Sequence, residues 1–150
     1  MITVRRALPE DVGEIARMGL AFLETHPVGP YDEDYIYAFA AEMVLNHIAL
    51  IADINGYLCG MILATEQHAL FNPKVQTVQE IAWWVDEDAR SAGVGGELLT
   101  AFESLIDGRP VCMGTMPTTA IEAAYFERRG WTLTHQIWTK GFSRAPVEPR

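Results

Sequence analysis

A long apolar segment that runs into a glycine-rich helix start is the feature that most constrains the fold of this chain. Residues 76–86 (QTVQEIAWWVD) have the apolar and aromatic character of a strand, and residues 89–102 (ARSAGVGGELLTAF) follow with apolar side chains at helical spacing. A glycine inside a helix costs about 1 kcal/mol relative to alanine. Gly93, Gly95 and Gly96 nevertheless all lie at this helix start. We therefore expect a role for the exposed backbone there.

The pattern along the chain predicts one domain built on a mixed sheet. A length of 150 residues fits a single domain, and Asn55-Gly56 between two apolar runs is typical of a tight hairpin turn. The predicted order is β-α-α-β-β-β-α-β-α-β, an α/β (α+β) arrangement. Strands are expected at 2–7, 47–54, 57–67, 76–86 and 109–116, with one or two more at 131–142; helices are expected at 9–24, 35–45, 89–102 and 118–130, and a loop at 68–75.

Composition excludes several classes of protein. The net charge of −9 argues against a nucleic-acid binder, which needs a basic face, and favours cationic partners only as a bias on encounter. No apolar run reaches the roughly 18 residues of a membrane helix, and the N-terminus lacks a signal-peptide pattern. A cytoplasmic protein without a membrane partner is therefore expected. Cys59 and Cys112 are expected to be buried, unreactive thiols, since no cysteine or histidine spacing suits zinc.

The glycine-rich helix start is a candidate phosphate site. A helix N-terminus presents free N–H groups and the positive end of the helix dipole, and glycines let a ligand approach them. Arg90 adds a positive charge beside those groups, which suits a pyrophosphate. A P-loop would need a lysine that is missing here, and a GxGxxG dinucleotide motif would need a glycine where Leu98 stands. The alternative without a ligand is a tight turn with close packing of helix on sheet.

The segment from Arg90 to Gly95 resembles the Q/R-x-x-G-x-G/A signature of the GNAT N-acetyltransferases, in which it also follows an apolar strand. The sequences PEDV near the N-terminus and AAYFERRGW near the C-terminus are similar to that family as well. The resemblance covers about residues 1–142, which we take as the domain, with 143–150 as a C-terminal tail. It implies a mixed central sheet with a splayed cleft between the fourth and fifth strands, flanked by about four helices.

The resemblance also implies acetyl-CoA as co-substrate, without a metal. The pyrophosphate would lie on the N–H groups of residues 91–96, and the pantetheine arm along a bulged fourth strand. A backbone N–H near Val85 would polarise the thioester carbonyl. Thr119 would touch the cofactor, although a capping box formed by Thr119 and Glu122 also explains that threonine. The implied cofactor-binding residues are Trp84, Val85, Asp86, Arg90, Ser91, Ala92, Gly93, Val94, Gly95, Gly96 and Thr119.

Glu80 is the candidate general base, since bases in the family commonly lie on this strand and it is the only carboxylate within residues 76–85. By simple alternation it would share a face with Ala82 and Trp84, and neighbouring tryptophans would raise its pKa by desolvation. An exposed glutamate at the end of a strand, without a catalytic role, is the alternative.

Tyr125 is the candidate general acid for the departing thiolate. Relatives often carry this tyrosine four residues before the glycine that ends the last helix, a position held here by Phe126. Because one residue turns a helix by about 100°, the tyrosine is displaced around the axis. Packing on the apolar face of the helix is the alternative role for Tyr125.

Together these residues predict an acyltransferase that moves an acetyl group directly to a primary amine of a small molecule or peptide. Specificity for the acceptor is expected from residues 25–35 and 68–74, and the acids at 32–34 either attract a cation or suit a helix start. Two alternatives stay open: a non-catalytic acyl-CoA-binding module that senses or regulates, and an acyltransferase with another donor or an oxygen acceptor. We retain a homodimer as the alternative to a monomer.

Overall fold

The Asn55-Gly56 turn organises the sheet, as predicted. In the computed structural model, which describes residues 1–26, 29–115, 121 and 123–141, both residues of this turn have left-handed backbone conformations, with φ of 53° and 87°. A two-residue hairpin turn of the primed type requires positive φ at both positions, which is why asparagine and glycine occupy them. The Gly56 N–H also donates to Asp53 Oδ1 at 2.9 Å.

Five strands form one sheet in the order β1-β2-β3-β4-β5. The strands are β1 (Ile2–Arg6), β2 (Ile48–Ile54), β3 (Tyr57–Ala69), β4 (Asn72–Val85) and β5 (Val111–Cys112). The helices are α1 (Val12–Thr25), α2 (Glu33–Asn46), α3 (Val94–Ile106) and α4 (Ala123–Arg128). The first three strand pairs are antiparallel, whereas β4 and β5 are parallel because α3 crosses between them. The predicted mixed sheet with about four helices is confirmed.

Helices cover both faces of this sheet. On one face α1 and α2 pack on a core that includes Met18, Met43 and Leu63. On the other face α3 packs through Leu98 and Phe102. This second contact is very close at Gly60 of β3, where an added Cβ would lie only 2.9 Å from Leu98 Cδ1 and 3.0 Å from Val94 Cγ1. Glycine at residue 60 therefore lets α3 approach β3.

The third and fourth strands extend further than the sequence pattern predicts. Residues 68–75, expected to form a loop, mostly continue the β3–β4 hairpin: His68 pairs with Gln76, and only residues 70–71 form the turn. The stretch is polar and contains Pro73, so local propensity favours a loop. Pairing across the two strands prevails over that propensity, and the Thr77 hydroxyl adds a hydrogen bond to the Gln67 carbonyl at 3.2 Å.

The C-terminal part of the chain departs from the prediction of closing strands. Residues 131–139 form no strand, and Leu133, Ile137 and Trp138 are exposed. The neighbouring edge strand β5 has only two residues, which is too short an edge to hold a further strand in register. Residues 116–120, 122 and 142–150, including the predicted Thr119–Glu122 capping box and the tail, lie outside the described residues.

The two cysteines differ in their surroundings. Cys59 is buried, as expected, and burial raises the pKa of its thiol. Cys112 is exposed, so the prediction of a second buried thiol is wrong. It ends the two-residue edge strand β5, where a side chain has little to pack against. None of the helices in the described residues is long and apolar enough to cross a membrane.

Candidate active site

The glycines at the start of α3 have different structural roles. Gly93 precedes the helix with φ of 88°, a left-handed conformation that favours glycine. An added Cβ there would meet no atom within 4 Å, so this side of the loop is open. At Gly95 an added Cβ would lie 3.4 Å from Trp83 Cζ2, and at Gly96 it would lie 3.4 Å from the Tyr125 hydroxyl. These are ordinary van der Waals distances, so packing alone does not require glycine at either position, while Gly93 leaves the backbone accessible.

Arg90 lies on the 3-10 turn Glu87–Ala92 that leads into α3. Its Nε donates to the Val85 carbonyl at 2.9 Å, and its guanidinium lies 4.8 Å from the centre of the Trp84 ring. These contacts hold the charged group beside the helix start. Ser91, Ala92 and Gly93 next to it are exposed. A positive charge and an accessible helix N-terminus therefore lie together, as the sequence predicts for a phosphate site.

Asp86 holds the end of β4 in place. Its buried carboxylate accepts hydrogen bonds from Trp84 Nε1 at 2.9 Å and from Arg17 Nη1 and Nη2 at 3.2 and 2.9 Å. The Asp86 hydrogen bonds are the main cause that raises the pKa of the Arg17 guanidinium. The side chains of Trp84 and Asp86 are thus engaged within the protein. Their predicted part in cofactor binding stays a prediction. Because both side chains are engaged, the main chain of residues 84–86 is the part left to contact a ligand.

The fourth and fifth strands part immediately before Glu80. β4 and β5 pair only through Val78 and Gln79, and in the described ranges β4 has no strand partner on that side beyond Gln79. At the same point the register of β3 against β4 skips Ile81, which is a β-bulge. The bulged fourth strand and the cleft between the fourth and fifth strands, both predicted, are present. Alternate backbone groups of residues 82–85 consequently face the open side.

Glu80 is buried at the point where the strands part. The residue is only 8% exposed. Desolvation raises the pKa of its carboxyl group from 4.5 to about 8, and a hydrogen bond from the Gly114 N–H partly opposes this shift. A surface glutamate at a strand end would show neither property. The alternative of an exposed glutamate at a strand end is therefore wrong, and the role of Glu80 as general base stays a prediction.

The bulge changes the face on which Glu80 lies. Beyond the bulge Ala82 aligns with Leu63, on the α1 and α2 side, whereas Glu80 aligns with Ala64, on the α3 side. The expectation that Glu80 shares a face with Ala82 and Trp84 is therefore wrong. Simple alternation assumes an uninterrupted pleat, and one extra residue reverses it.

Tyr125 and Phe126 of α4 point to different neighbours. The Phe126 ring packs edge-on against Trp83, with ring centres 6.1 Å apart. The Tyr125 hydroxyl lies beside Gly96 in the first turn of α3, and the Arg129 guanidinium lies 5.1 Å from the centre of the Tyr125 ring. The residue at the position usual for the family acid is thus used for packing. Tyr125 presents its hydroxyl to α3, and its role as acid stays a prediction.

Trp83 carries a buried polar group without a partner. Its indole Nε1 has no hydrogen-bond partner within the part of the chain that the structure describes. The Cε2 atom bonded to this nitrogen is 3.9 Å from the place of a Cβ on Gly95. An unpaired buried donor costs about 1–3 kcal/mol. The Trp83 indole N–H therefore lies close to the helix start but is enclosed by the protein.

A pocket that the sequence did not reveal lies on the other face of the sheet. It has a volume of about 360 Å³ between α1, α2 and the floor formed by β3 and β4. Its aromatic lining residues are Phe22, Tyr31, Tyr35 and Phe39. Tyr35 and Phe39 have the i, i+4 spacing of one helix face, which is the sequence signal that indicates them. Phe22 lies on α1, so its contact with the same pocket depends on how α1 and α2 pack against each other, which the sequence pattern does not show.

No group of three histidine, cysteine, aspartate or glutamate side chains suitable for a metal occurs in residues 1–26, 29–115, 121 and 123–141.

Comparison with known proteins agrees with this geometry. The family model described as the acetyltransferase (GNAT) family matches residues 14–131. No curated protein sequence matches. Among solved structures, a possible acetyltransferase from Clostridium difficile 630 has a TM-score of 0.73 at 13% identity, covering 93% of this chain and 97% of that one. A ribosomal-protein-alanine N-acetyltransferase from Brucella melitensis biovar Abortus 2308 has a TM-score of 0.71 at 14% identity, covering 95% and 100%.

A third similar structure is AAC(6')-Iy in complex with a bisubstrate analogue that joins CoA to monomethyl-acetylneamine. Its TM-score is 0.71 at 18% identity, with 93% of this chain and 97% of that chain covered. At these identities the solved structures establish the fold, and the family model adds the sequence evidence over most of the chain. The chain belongs to the GNAT family of acetyltransferases.

Proposed function

We propose that this protein transfers an acetyl group directly from acetyl-CoA to a primary amine. The observation that carries the proposal is the Glu80 carboxyl group, which is buried where β4 and β5 part and has a pKa of about 8. A base with a pKa near the working pH is best suited to accept a proton during catalysis.

The residues at the start of α3 fit the pyrophosphate of acetyl-CoA. Gly93 leaves open space in front of the backbone, and residues 91–96 include the first N–H groups of the helix. Arg90 is held beside them and has no carboxylate partner within the described chain. We place Thr119 in this set as predicted; it lies outside the described residues.

In this proposal, different groups of the chain carry out the separate proton transfers of the reaction. Acetyl-CoA, when bound, supplies the acetyl group; the C–N bond forms as the C–S bond breaks. Glu80 accepts a proton from the ammonium of the acceptor, directly or through water, because only the neutral amine is a nucleophile. The backbone N–H near Val85 stabilises the negative charge that develops on the carbonyl oxygen. Tyr125 gives its proton to the departing sulfur, and the second proton that the amine nitrogen loses after the C–N bond forms restores the Tyr125 hydroxyl through water.

A non-catalytic acyl-CoA-binding module is the second candidate. One observation favours it: Phe126 occupies the place of the usual acid and packs on Trp83, and the Tyr125 hydroxyl lies against α3 instead. Such a module would keep the phosphate site and lose the chemistry.

Turnover of acetyl-CoA against a panel of primary amines separates these two functions. We expect CoA release that depends on the amine, together with an N-acetylated product identified by mass spectrometry. Binding of acetyl-CoA, seen as a raised unfolding midpoint, without CoA release on any amine would favour the module. The absence of both binding and turnover would remove both candidates.

A further inference from the structure

The pocket between α1, α2 and the sheet has a chemistry that selects among amines. Its walls are formed by Phe22 of α1 and by Tyr35 and Phe39 of α2, and its floor by Met61 and Leu63 of β3. A volume of about 360 Å³ is at the small end of the range for ligand pockets. The pocket can therefore enclose a ring or a branched chain, but not an oligosaccharide or a folded peptide.

The mouth of this pocket is acidic. Asp32 is among the lining residues, which include no lysine or arginine in the described chain. The Tyr31 phenol, also in the lining, has its pKa raised first by burial and then by the charges of Glu24 and Glu33. Asp32 in the lining and the charges of Glu24 and Glu33 that act on Tyr31 attract a cationic ligand. Aromatic walls also favour an ammonium group, which binds to the faces of their rings.

The floor of the pocket leads to the candidate active site. Ile81 and Ala82 line it, and these two residues directly follow Glu80 at the bulge. A ligand whose apolar part fills the pocket thus has its other end beside the place where β4 and β5 separate. Glu80 itself lies on the α3 side of the sheet, so the inference requires the amino group to pass the open edge next to Ile81.

We propose that the acceptor is a primary amine with a single positive charge and one aromatic or branched aliphatic group, which the pocket encloses. This inference rests on the proposed function and names its substrate class. The lining is apolar except for the groups at the mouth, Tyr31, Asp32 and Tyr35. Hydroxyl groups of an aminosugar would lose their hydrogen bonds to water on entry, at a cost of about 1–3 kcal/mol each.

The test compares phenethylamine and tryptamine with ethanolamine, spermidine and kanamycin as acceptors. We expect kcat/KM for the two arylalkylamines to exceed that for the other three at least tenfold. A higher kcat/KM for spermidine or kanamycin would overturn the inference and leave the proposed function standing. No CoA release with any amine would instead contradict the proposed function. The binding measurement described next would then test on its own whether the pocket binds an arylalkylamine.

Binding of phenethylamine in the absence of acetyl-CoA, measured by calorimetry, tests the pocket without catalysis. Tyr35 and Tyr37 are a matched pair on α2, 63% and 59% exposed, and only Tyr35 lines the pocket. We expect Tyr35→Ala to weaken phenethylamine binding about fivefold or more, and Tyr37→Ala to leave it within twofold. Equal effects of the two variants, or no binding of phenethylamine to the wild-type protein, would overturn the inference.

Discussion

At the scale of single residues the account depends on Glu80. Its carboxylate is buried on a strand whose partner ends one residue earlier, so the group is desolvated by the fold and yet lies at an opening in the sheet. Desolvation that raises the pKa to about 8 has two separate consequences. One concerns the rate of the reaction, and the other concerns the stability of the protein.

Replacement of Glu80 by glutamine tests its role as base. The wild-type kcat/KM should rise with pH up to about 8, as the carboxyl group ionises. Glu80→Gln keeps the shape and removes the base, so we expect a loss of about 10²–10⁴ near pH 8 and no inflection from this group. The loss should shrink at higher pH, where solution deprotonates the amine. Kinetics from pH of about 6 to about 10 measure this, and an unchanged profile would exclude Glu80 as the base.

The same substitution should stabilise the protein in alkaline solution. The carboxyl group has a pKa of about 8 in the folded protein and 4.5 ordinarily. Between these values the unfolded chain releases the proton and the folded protein retains it, so wild-type stability falls as pH rises through this window. One pKa unit corresponds to about 1.4 kcal/mol. Glu80→Gln should therefore exceed wild type by a few kcal/mol, on the order of 2–5, above pH 8.

Urea unfolding at several pH values measures this difference. It should nearly vanish below the ordinary pKa of 4.5, where the folded and the unfolded wild-type proteins both hold the proton. Glu97→Gln, on an exposed position of α3, is the control and should show no such dependence on pH. A Glu80→Gln variant that is equally stable or less stable than wild type above pH 8 would show that the wild-type carboxyl group is not held protonated.

Tyr125→Phe tests the candidate acid. The substitution keeps the ring that packs below Arg129 and removes only the hydroxyl beside Gly96. We expect the single-turnover rate to fall about tenfold while acetyl-CoA affinity stays constant, which is a modest general-acid effect. Tyr57→Phe, an exposed tyrosine on β3, is the matched control. A wild-type single-turnover rate in Tyr125→Phe would assign the proton transfer to water.

At the scale of elements two junctions build the site. The bulge at Ile81 separates Glu80 from the face of Ala82, and the turn before α3 presents free N–H groups beside Arg90. The turn before α3 was predicted from sequence because glycine and arginine mark it locally. The length of the β3–β4 hairpin was not, since its pairing joins residues such as His68 and Gln76 that carry no local strand signal.

Ala92→Glu tests the phosphate site with little disturbance of packing. Ala92 is exposed at the end of the 3-10 turn, whereas a side chain on Gly95 would press on Trp83. A negative charge before α3 should repel the pyrophosphate and abolish most of the stabilisation by acetyl-CoA in thermal unfolding. Ala38→Glu, an exposed position on α2, is the matched control. An unchanged acetyl-CoA effect in Ala92→Glu would contradict the phosphate site and leave backbone conformation and helix packing as the roles of these glycines.

At the scale of the whole molecule the sequence predicted the fold class but not the pocket, although residues 25–35, expected to set acceptor specificity, supply Tyr31, Asp32 and Tyr35 to its lining. Hairpin turns and helix periodicity are local patterns, and each was confirmed where the structure describes it. The glycine motif as a cofactor loop stays a prediction. The pocket joins Phe22 to Tyr35 and Phe39 through the packing of two helices, which no local pattern records. Likewise, residues 131–142 alternate in polarity like a strand, but residues 131–139 have no long edge to pair with.

The net charge of −9 acts over the whole surface. It favours the approach of cations over anions, with a dependence on ionic strength. Because long-range charge does not distinguish one cation from another, in our proposal that discrimination comes from short-range contacts in the pocket.

Initial-velocity kinetics with both substrates varied distinguish direct transfer from a two-step route. We expect reciprocal plots that intersect, because in direct transfer acetyl-CoA and the amine must occupy the protein together. Cys112 is exposed and pairs with Gln79 where β4 and β5 part. In a two-step route, this thiol would carry the acetyl group. Parallel plots, together with an acetylated Cys112 found by mass spectrometry and lost activity in Cys112→Ala, would contradict the account.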